Sequence, residues 1–185
     1  MRIITIVGAR PQFIKAAILS RALRGCHEEI LIHTGQHFDA NMSTVFFDEL
    51  EISAPKYNLG ISGETHGVMT GKMLIAIEEV LVRERPDAVL LYGDTNSTVA
   101  GALAAVKLRI PLIHVEAGNR LGTLDNPEEV NRITTDHLST LLFCASDSAK
   151  SFLDREGLGA RAYTVGNVMY AAFLYFGKRA AEQKR

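Results

Sequence analysis

Short apolar runs alternate along the whole chain with longer segments in which apolar residues recur at a helical spacing. A strand followed by a helix, repeated about six times, is typical of a parallel sheet, because each helix returns the chain to the end of the sheet where the next strand begins. We therefore expect an α/β fold, a doubly wound parallel sheet with helices on both faces. The predicted strands are 2–8, 28–35, 87–94, 110–118, 141–146 and 161–167, and the predicted helices are 11–25, 40–50, 64–85, 96–109, 127–139, 147–157 and 168–185.

The composition excludes several classes of protein. The 185 residues are enough for one domain with a proper core, and the formal net charge of −1 argues against an electrostatic nucleic-acid binder. The first apolar run is too short for the core of a signal peptide, and no run reaches the length of a membrane-spanning helix. Cys26 and Cys144 lie far apart and form no metal or redox motif. We therefore expect buried thiols in a cytoplasmic protein without nucleic-acid or membrane partners.

Polar and ionisable residues follow most of the predicted strands directly. Because the strands are parallel, these residues should meet at one edge of the sheet, and in open α/β sheets ligands bind beyond the carboxyl ends of the strands. The sequence therefore predicts one site at this edge. The residues that follow the strands include Arg10, Lys15, Gln36, His37, Asp94, Glu116, Arg120 and Asn167.

The turn after the first strand predicts an anion site. Gly8 permits a sharp turn, and the helix that begins at Pro11 should point free backbone N–H groups at the edge of the sheet. Arg10 lies at the mouth of this turn and Lys15 lies one turn inside the helix, so the pair suits a phosphate. The alternative is two surface cations on a helix. Since Gly8 alone represents the G-x-G-x-x-G pattern, a standard NAD site is disfavoured.

Two acidic residues end strands that the pattern predicts to be buried. Asp94 precedes a predicted helix, so its role could be only that of a cap or turn residue. Glu116 ends the next strand, where an unpartnered carboxylate is costly to bury. Either Glu116 pairs with Arg120 as a structural residue, or Ala117 and Gly118 leave room beside it for a ligand and it serves as an acid or base.

The helix predicted over 127–139 begins with strong capping signals. Asn126 is a good N-cap, and Glu129 stands where a capping box places its acidic residue, so Glu129 has a sufficient structural role. Glu128 has no such role and shares a helix face with Arg132. The opposite face is expected to be core, and it consists of Val130, Ile133, Thr134, His137 and Leu138.

The histidines are interpreted by their positions. His114 lies inside a strand and is expected to be structural, and His137 is expected at the edge of the core. Gln36 and His37 lie on a loop at the edge of the sheet and are more open to a ligand. No cluster of His, Cys and Asp has the spacing of metal ligands, and no G-x-S-x-G turn is present. The sequence therefore predicts a site without a metal.

Five motifs occur in the order in which one enzyme family has them. They are "VGARPQFIK", "HTGQH", "YGDTNST-AGALAA", "HVEAGNR" and "PEEVNRI-TDH", and they resemble the non-hydrolysing UDP-N-acetylglucosamine 2-epimerases from residue 1 to about residue 170. The resemblance implies a glycosyltransferase-B type fold, in which the nucleotide sugar binds between two Rossmann-like domains. It implies that 1–167 is the amino-terminal domain and that 168–185 is a terminal helix, which starts the linker to an absent second domain.

The resemblance also implies a reaction. A base removes the proton from C2 of the sugar, UDP leaves to give a glycal, and UDP adds back after protonation of the other face. This interconverts UDP-N-acetylglucosamine and UDP-N-acetylmannosamine, or a related pair of UDP-sugars, without NAD or an obligatory metal. By position, Asp94, Glu116 and Glu128 match the catalytic acids, Arg10, Lys15 and Arg132 match substrate-binding residues, and Gln36 and His37 match a stretch that lines a regulatory site in some bacterial members.

The sequence leaves open whether this chain is half of an enzyme or a non-catalytic module, and what its last helix packs against. Family members are about twice as long and usually form dimers, so we expect this half to be inactive without a second domain or chain. It could instead be a non-catalytic module that binds a nucleotide sugar or a partner. The aromatic helix with Tyr170 and Phe173 could cover an interface or pack on its own sheet. A glycosyltransferase of the same architecture is disfavoured, because "HVEAGNR" and "PEEVNR" place acids where an epimerase needs them.

Overall fold

A single parallel sheet forms the centre of the molecule. The structure, a computed structural model, describes residues 1–36 and 44–183. The strands are β1 (Arg2–Val7), β2 (Glu28–His33), β3 (Tyr57–Asn58), β4 (Ala88–Tyr92), β5 (Leu112–Ala117), β6 (Leu141–Cys144) and β7 (Ala162–Thr164). Their order in the sheet is β3-β2-β1-β4-β5-β6-β7, and neighbouring strands pair in parallel. The predicted α/β class is therefore confirmed.

Helices cover both faces of this sheet and begin close to the predicted positions. The helix Asn96–Lys107 has its N-cap at Thr95, and the helix Pro127–Leu138 has its N-cap at Asn126. The helices are α1 (Arg10–Arg24), α2 (Thr44–Glu49), α3 (His66–Glu84), α4 (Asn96–Lys107), α5 (Pro127–Leu138), α6 (Asp147–Arg155) and α7 (Val168–Gln183), and a short 3₁₀ helix spans Gly159–Arg161.

The short edge strand β3 was not predicted. It pairs with β2 through two positions, Ile32 with Tyr57 and His33 with Asn58. Two residues give no apolar run and no alternation, so the pattern that identifies the other strands is absent here. The predicted helix 40–50 is observed as α2, and residues 40–43 of that prediction lie outside the described part of the chain.

Strand β1 shows why the sheet is buried on both faces. Ile4 and Ile6 pack in a core cluster with side chains of α3 and α4, whereas Ile3 and Val7 pack in a second cluster with side chains of α1. Because both faces are covered, the strand is continuously apolar instead of alternating. A Cβ atom at Gly101 would lie 2.9 Å from Ile6 Cδ1, so this glycine allows α4 to lie close to the sheet.

The order of the strands places a crevice between β1 and β4. From β1 the chain proceeds through β2 to β3 on one side, and from β4 it proceeds to β7 on the other. At such a switch point the helices that follow the two central strands lie on opposite faces, and the loops before them diverge. The loops that diverge here carry Gly8–Arg10 and Gly93–Thr95, which contain two of the predicted site residues.

Helix α7 packs against α1 and leaves an aromatic surface uncovered. Val168 and Phe176 pack against the core cluster that contains Phe13. Tyr170 is 62% exposed and Phe173 is 72% exposed. The helix therefore packs on its own domain through one side only.

The two cysteines, both expected to be buried, differ in their exposure. Cys144 is buried, and burial raises the pKa of its thiol to about 11. Cys26 is exposed, so the expectation that both thiols are buried is wrong. It lies in the turn between the end of α1 and the start of β2. Within the described ranges, none of the helices combines the length and apolar character needed to cross a membrane.

Candidate active site

The loop between β1 and α1 is fixed by Gln12. Its Oε1 accepts hydrogen bonds from the N–H groups of Gly8 at 2.7 Å and Ala9 at 3.1 Å, and its Nε2 donates to the carbonyl oxygen of Tyr92 at 2.7 Å. The side chain is buried. Gln12 therefore joins the ends of β1 and β4, and its side-chain oxygen accepts from the N–H groups of both Gly8 and Ala9.

Gly8 is required at this position because the structure has no room for a side chain there. A Cβ atom there would overlap the hydroxyl oxygens of Ser97 and Thr34. These two oxygens are hydrogen-bonded to each other at 2.7 Å. The loop after β1 therefore lies directly against the start of α4, which brings the residues after β1 and β4 together.

Lys15 and Glu116 form an ion pair at the carboxyl edge of the sheet. The Nζ atom of Lys15 contacts Oε2 of Glu116, and their side chains are 13% and 18% exposed. The partner of Glu116 is thus Lys15, and the alternative in which it pairs with Arg120 is wrong. Arg120 instead contacts Asp136 and Glu156.

The small residues after Glu116 have a structural cause. A Cβ atom at Gly118 would overlap the carbonyl oxygen of Ala149 in α6, and the φ of Gly118 is 84°. Ala117 is buried in the core cluster beneath the same helix. The expectation that this pair leaves room for a ligand is wrong, because α6 occupies the space. On its other side Glu116 faces Gly93, where a Cβ atom would lie 3.6 Å from Oε2.

Asp94 belongs to a second cluster of charges. Arg132 contacts Asp94 through Nη2 and Glu129 through Nη1. Glu129 is buried, and its Oε1 accepts a hydrogen bond from the N–H of Leu121 at 2.6 Å. Its carboxylate therefore holds the loop after β5, and the expected capping-box role of Glu129 is wrong, although Asn126 is the N-cap as predicted.

Helix α5 buries its polar face, which reverses the predicted orientation. Asn131, Arg132 and Thr135 are buried, whereas Val130 is 43% exposed and His137 is exposed. The reason is the polar turn that the helix covers. Nδ2 of Asn131 donates a hydrogen bond to the carbonyl oxygen of Asp94 at 3.0 Å. The expected core face and the placement of His137 at the core edge are therefore both wrong.

His114 is buried and hydrogen-bonded through both ring nitrogens, as expected for a structural residue. Nδ1 lies 2.7 Å from Oδ1 of Asp136, and Nε2 lies 2.6 Å from the carbonyl oxygen of Gly93. Burial by itself would raise the pKa of Asp136, but hydrogen bonds and charges from His114 and Arg120 outweigh it and hold the pKa below its ordinary value.

Arg120 extends this buried group of charges to the surface. Its guanidinium donates two hydrogen bonds of 2.7 Å to the carboxylate of Glu156. Burial by itself would lower the pKa of Arg120, but the carboxylates of Glu156 and Asp136 raise it. The hydrogen bonds from Arg120 in turn hold the pKa of Glu156 below its ordinary value.

The other predicted site residues lie around these clusters. Arg10 and Glu128 are exposed at the first turns of α1 and α5, and both turns are at the carboxyl edge of the sheet. Oε1 of Gln36 accepts hydrogen bonds from the N–H of Ser97 at 2.9 Å and from its hydroxyl at 2.7 Å, so Gln36 satisfies an N–H group in the first turn of α4. His37 lies outside the described residues.

An apolar cavity of about 310 Å³ adjoins Glu116. It is bounded by α1, by the ends of β5 and β6 and by the start of α7. The residues that line it are Ile18, Leu19, Val115, Glu116, Phe143, Val165, Gly166, Asn167, Val168 and Ala171. A search of the described ranges finds no group of three or more His, Cys, Asp or Glu residues that could hold a metal ion.

Gln12 and Asp136 are important at this edge of the sheet and were not predicted. Gln12 could have been found, because Gln at the third position of a helix is a capping-box signal. Asp136 lies in the last turn of α5, and no local pattern shows that its carboxylate reaches His114. Its role depends on the packing of α5 against β5, which the sequence pattern does not give.

The amino-acid sequence of this chain is similar to those of known proteins. A family model described as UDP-N-acetylglucosamine 2-epimerase matches residues 21–185. A UDP-N-acetylglucosamine 2-epimerase homolog of Methanococcus maripaludis is 55% identical over 174 residues, which are 94% of this chain and 49% of that protein. The UDP-2,3-diacetamido-2,3-dideoxy-D-glucuronate 2-epimerase of Pseudomonas aeruginosa is 53% identical over 185 residues, 97% of this chain and 52% of that protein. The chain spans about half the length of these relatives.

Solved structures share the same fold. The crystal structure of Methanocaldococcus jannaschii UDP-GlcNAc 2-epimerase in complex with UDP-GlcNAc and UDP matches with a TM-score of 0.91 and 47% identity, over 95% of this chain and 49% of that chain. The crystal structure of Acinetobacter baumannii MurG matches with a TM-score of 0.56 and 14% identity, over 80% of this chain and 42% of that chain. The likeness to MurG concerns the fold alone.

Proposed function

This chain belongs to the UDP-N-acetylglucosamine 2-epimerase family, and on that premise we propose that the protein inverts C2 of UDP-N-acetylglucosamine to give UDP-N-acetylmannosamine. A base takes the C2 proton, and the electrons of the C–H bond form the C1–C2 double bond as UDP leaves C1. UDP then adds back at C1 while a proton is delivered to the other face of C2. Because neither the elimination nor the re-addition transfers a hydride, this route needs no redox cofactor.

The observation that carries this proposal is the pair of carboxylate–cation contacts at the switch point of the sheet. Lys15 contacts Glu116 and Arg132 contacts Asp94, and Gly93 lies between the two acids. Abstraction of a weakly acidic C–H proton needs a carboxylate held close to the carbon. Departure of UDP needs cations near the diphosphate. This edge of the sheet offers both kinds of group in two charge clusters, one on either side of Gly93.

We assign roles to the site residues on the same basis. Asp94, Glu116 and Glu128 are the candidate acids for proton transfer and for the leaving-group step. Arg10, Lys15 and Arg132 are the candidate cations for the substrate, and the exposure of Arg10 at the start of α1 supports its contact with an incoming anion. Gln36 and His37 remain candidates for a regulatory site.

The proposed activity concerns a protein of the length of its relatives. We propose that this chain is the amino-terminal domain of a glycosyltransferase-B type fold, since it spans about half of each relative. We propose that a second domain closes over the carboxyl edge of the sheet and that the protein forms a homodimer. The free thiols of Cys26 and Cys144 support a reducing, cytoplasmic location.

Isotope exchange at C2 tests the proposed reaction. The full-length protein is incubated with UDP-N-acetylglucosamine in D2O, and both sugars are analysed by NMR. We expect deuterium at C2 of both epimers, because the C2 proton is lost to solvent-exchangeable groups in each turnover. Glu116→Gln should abolish the exchange, whereas Glu79→Gln, on an exposed part of α3, should not change it. No deuterium at C2 in a protein that still binds UDP would refute the proposal.

A second substrate is favoured by one of the relatives. The Pseudomonas aeruginosa protein that is 53% identical carries the name of an epimerase for UDP-2,3-diacetamido-2,3-dideoxy-D-glucuronate, and the Methanocaldococcus jannaschii UDP-N-acetylglucosamine 2-epimerase is 48% identical. Competition between the two UDP-sugars in one D2O reaction decides between them. A ratio of kcat/KM values above about 10, which corresponds to about 1.4 kcal/mol, identifies the preferred substrate.

The alternative of a non-catalytic module is tested by calorimetry with UDP and UDP-N-acetylglucosamine. Binding of both ligands by the full-length protein without turnover would favour the module. The chain's own acids argue against that outcome, because a module that only bound nucleotide would have no use for Glu116 and Asp94 beside two cations. Such a module would instead be expected to present cations alone to the diphosphate.

A further inference from the structure

His114 lies between two hydrogen-bond acceptors in the centre of the sheet. Nε2 is 2.6 Å from the carbonyl oxygen of Gly93, and Nδ1 is 2.7 Å from Oδ1 of Asp136. Neither His114 nor Asp136 has any exposed side-chain surface. A carbonyl oxygen can only accept a hydrogen bond, so Nε2 must carry a hydrogen atom.

The second nitrogen of the ring must carry a hydrogen atom as well. Oδ2 of Asp136 accepts hydrogen bonds from the N–H of Gly118 at 3.0 Å and from Nη1 of Arg120 at 2.7 Å. A carboxylate oxygen that accepts from a backbone N–H and from a guanidinium is ionised. An ionised carboxylate can only accept, so Nδ1 of His114 donates to it.

A doubly protonated ring is compatible with full burial here because the neighbouring charges compensate it. His114, Asp136, Arg120 and Glu156 form a continuous series of alternating sign from the sheet to the surface. Every contact in the series joins a cation to an anion, which is the condition under which charges are tolerated inside a protein. The series carries no net charge.

We propose that His114 is a buried imidazolium and that, paired with Asp136, it is a positioning residue for Asp94 and Glu116. The charge state stands on the hydrogen-bond geometry alone. The positioning role rests on the proposed function, because it concerns the acids to which that function assigns proton transfer.

The positioning of Glu116 follows from the contacts of Asp136 on both sides of it. Asp136 accepts from His114, two residues before Glu116, and from Gly118, two residues after it. Between them the register of β5 with β6 is irregular, and Glu116 has a φ of 69°, a left-handed conformation that glycine favours. One carboxylate therefore bridges the irregular segment that points Glu116 towards Lys15.

The positioning of Asp94 follows from the hydrogen bond that Nε2 of His114 makes. Nε2 of His114 donates to the carbonyl oxygen of Gly93, which is the peptide group that leads into Asp94. Gly93 has a φ of 63°, so the chain turns sharply at this point. A charged donor holds this carbonyl more strongly than a neutral one. His114 thus connects the turn that carries Asp94 to the strand that carries Glu116.

Nitrogen NMR of the full-length protein labelled with ¹⁵N-histidine tests the charge state without any activity measurement. The His114 signals are assigned by their absence in His114→Gln. We expect both ring nitrogens of His114 to give protonated, N–H-coupled signals at pH 7 and slow exchange with solvent. A signal of an unprotonated ring nitrogen would overturn the imidazolium. The result holds whether or not the protein is an epimerase.

Kinetics of Asp136→Asn test the positioning role. The amide keeps the shape of the side chain but cannot hold the imidazolium, so the acids should lose their alignment. We expect kcat per UDP-binding site to fall about 100-fold, with KM changed less than about threefold. Glu79→Gln, on the exposed part of α3 and outside the series, should leave both within about threefold. Because kcat is divided by the number of sites that bind UDP, unfolded protein in the sample does not lower the measured kcat.

The outcomes of the two measurements are distinct. If unsubstituted protein shows no exchange at C2, the proposed function fails while the NMR measurement still decides the charge of His114. If unsubstituted protein is active and Asp136→Asn keeps its kcat, or loses kcat and affinity together, the positioning role is overturned. Should Asp136→Asn not fold, His114→Gln replaces it, because its amide can donate to Gly93 but carries no charge. The same fall in kcat is expected.

Discussion

Nζ of Lys15 contacts Oε2 of Glu116. This ion pair joins the second turn of α1, the helix that follows β1, to the end of β5, and β4 lies between β1 and β5 in the sheet. The pair is mostly buried, so solvent and salt weaken it little. A diphosphate that binds at Lys15 must compete with Glu116 for the ammonium group. We therefore expect substrate binding to release the carboxylate beside the sugar, where the proposed reaction needs a proton acceptor.

Replacing Lys15 by methionine should remove the cation and keep most of the side-chain volume. We expect kcat/KM of the full-length protein to fall about 100-fold, the order of magnitude for loss of one charge-stabilising donor. The measurement is the initial rate of epimerisation over a range of UDP-N-acetylglucosamine concentrations. Lys107→Met, on the exposed last turn of α4, serves as the control. Equal rates in the two variants would contradict the assignment of Lys15.

Arg132 should not be replaceable by lysine. Its Nη1 contacts Glu129 and its Nη2 contacts Asp94, and a single ammonium group cannot reproduce a planar fork between two carboxylates. We expect both Arg132→Lys and Arg132→Met to be destabilised, the latter by about 3 kcal/mol, because buried Glu129 loses its cation. Urea unfolding followed by circular dichroism gives the free energies.

The control for Arg132 is Arg83→Met, an exposed position on α3. It should change the free energy of unfolding by less than about 0.5 kcal/mol. The activity of Arg132→Lys should also be low, because Asp94 loses its fixed partner. Wild-type stability in Arg132→Lys would show that the two contacts are not maintained in solution.

Strand–helix alternation was sufficient to predict the sheet, apart from its edge strand β3, and the helices α1 to α7, and it also placed the polar residues at the carboxyl edge. This worked because buried parallel strands are continuously apolar, as in β1, and because parallel strands end at the same edge. Asp94, Glu116, Lys15 and Arg132 could be grouped on this argument. Their partners could not, since pairing depends on distances across three different strands.

The orientation of α5 shows a specific limit of pattern reasoning. The helix has an apolar face with Val130 and a polar face with Asn131, and burial of the apolar face was the natural prediction. The structure buries the polar face because it covers the turn at Asp94, whose backbone needs hydrogen-bond partners. Which face is buried thus depends on what lies beneath the helix. A functional site is where this rule is expected to fail.

Gly8 and Gly71 should respond to alanine in opposite directions. A Cβ atom at Gly8 would overlap the hydroxyl groups of Ser97 and Thr34, whereas among the described residues a Cβ atom at Gly71 in α3 would meet no neighbour beyond its own helix within 4 Å. We expect Gly8→Ala to lower the free energy of unfolding by about 1–3 kcal/mol through overpacking. Gly71→Ala should raise it by about 0.5–1 kcal/mol, because alanine loses less entropy in a helix. Thermal unfolding of both variants checks the difference, and a stabilised Gly8→Ala would contradict the close approach of α4.

The contribution of Asp136 to stability should depend on pH in a defined direction. Its pKa in the folded protein lies below the ordinary value of 3.8 because His114 and Arg120 outweigh burial. A depressed pKa means that the ionised group stabilises the fold fully above about pH 4 and that this contribution is lost as the pH falls through the folded pKa. We therefore expect Asp136→Asn to lower the free energy of unfolding at pH 7 and the difference from wild type to shrink below pH 4.

Urea unfolding at pH 7, 5, 4 and 3 measures this dependence for Asp136→Asn and for the control Asp147→Asn. Asp147 is exposed in the first turn of α6, so its substitution should cost less than about 1 kcal/mol at every pH. A difference between wild type and Asp136→Asn that stays constant, or widens, between pH 4 and pH 3 would show that Asp136 is not held ionised by its neighbours. Since the argument for a charged His114 uses the same ionised carboxylate, that result would count against both.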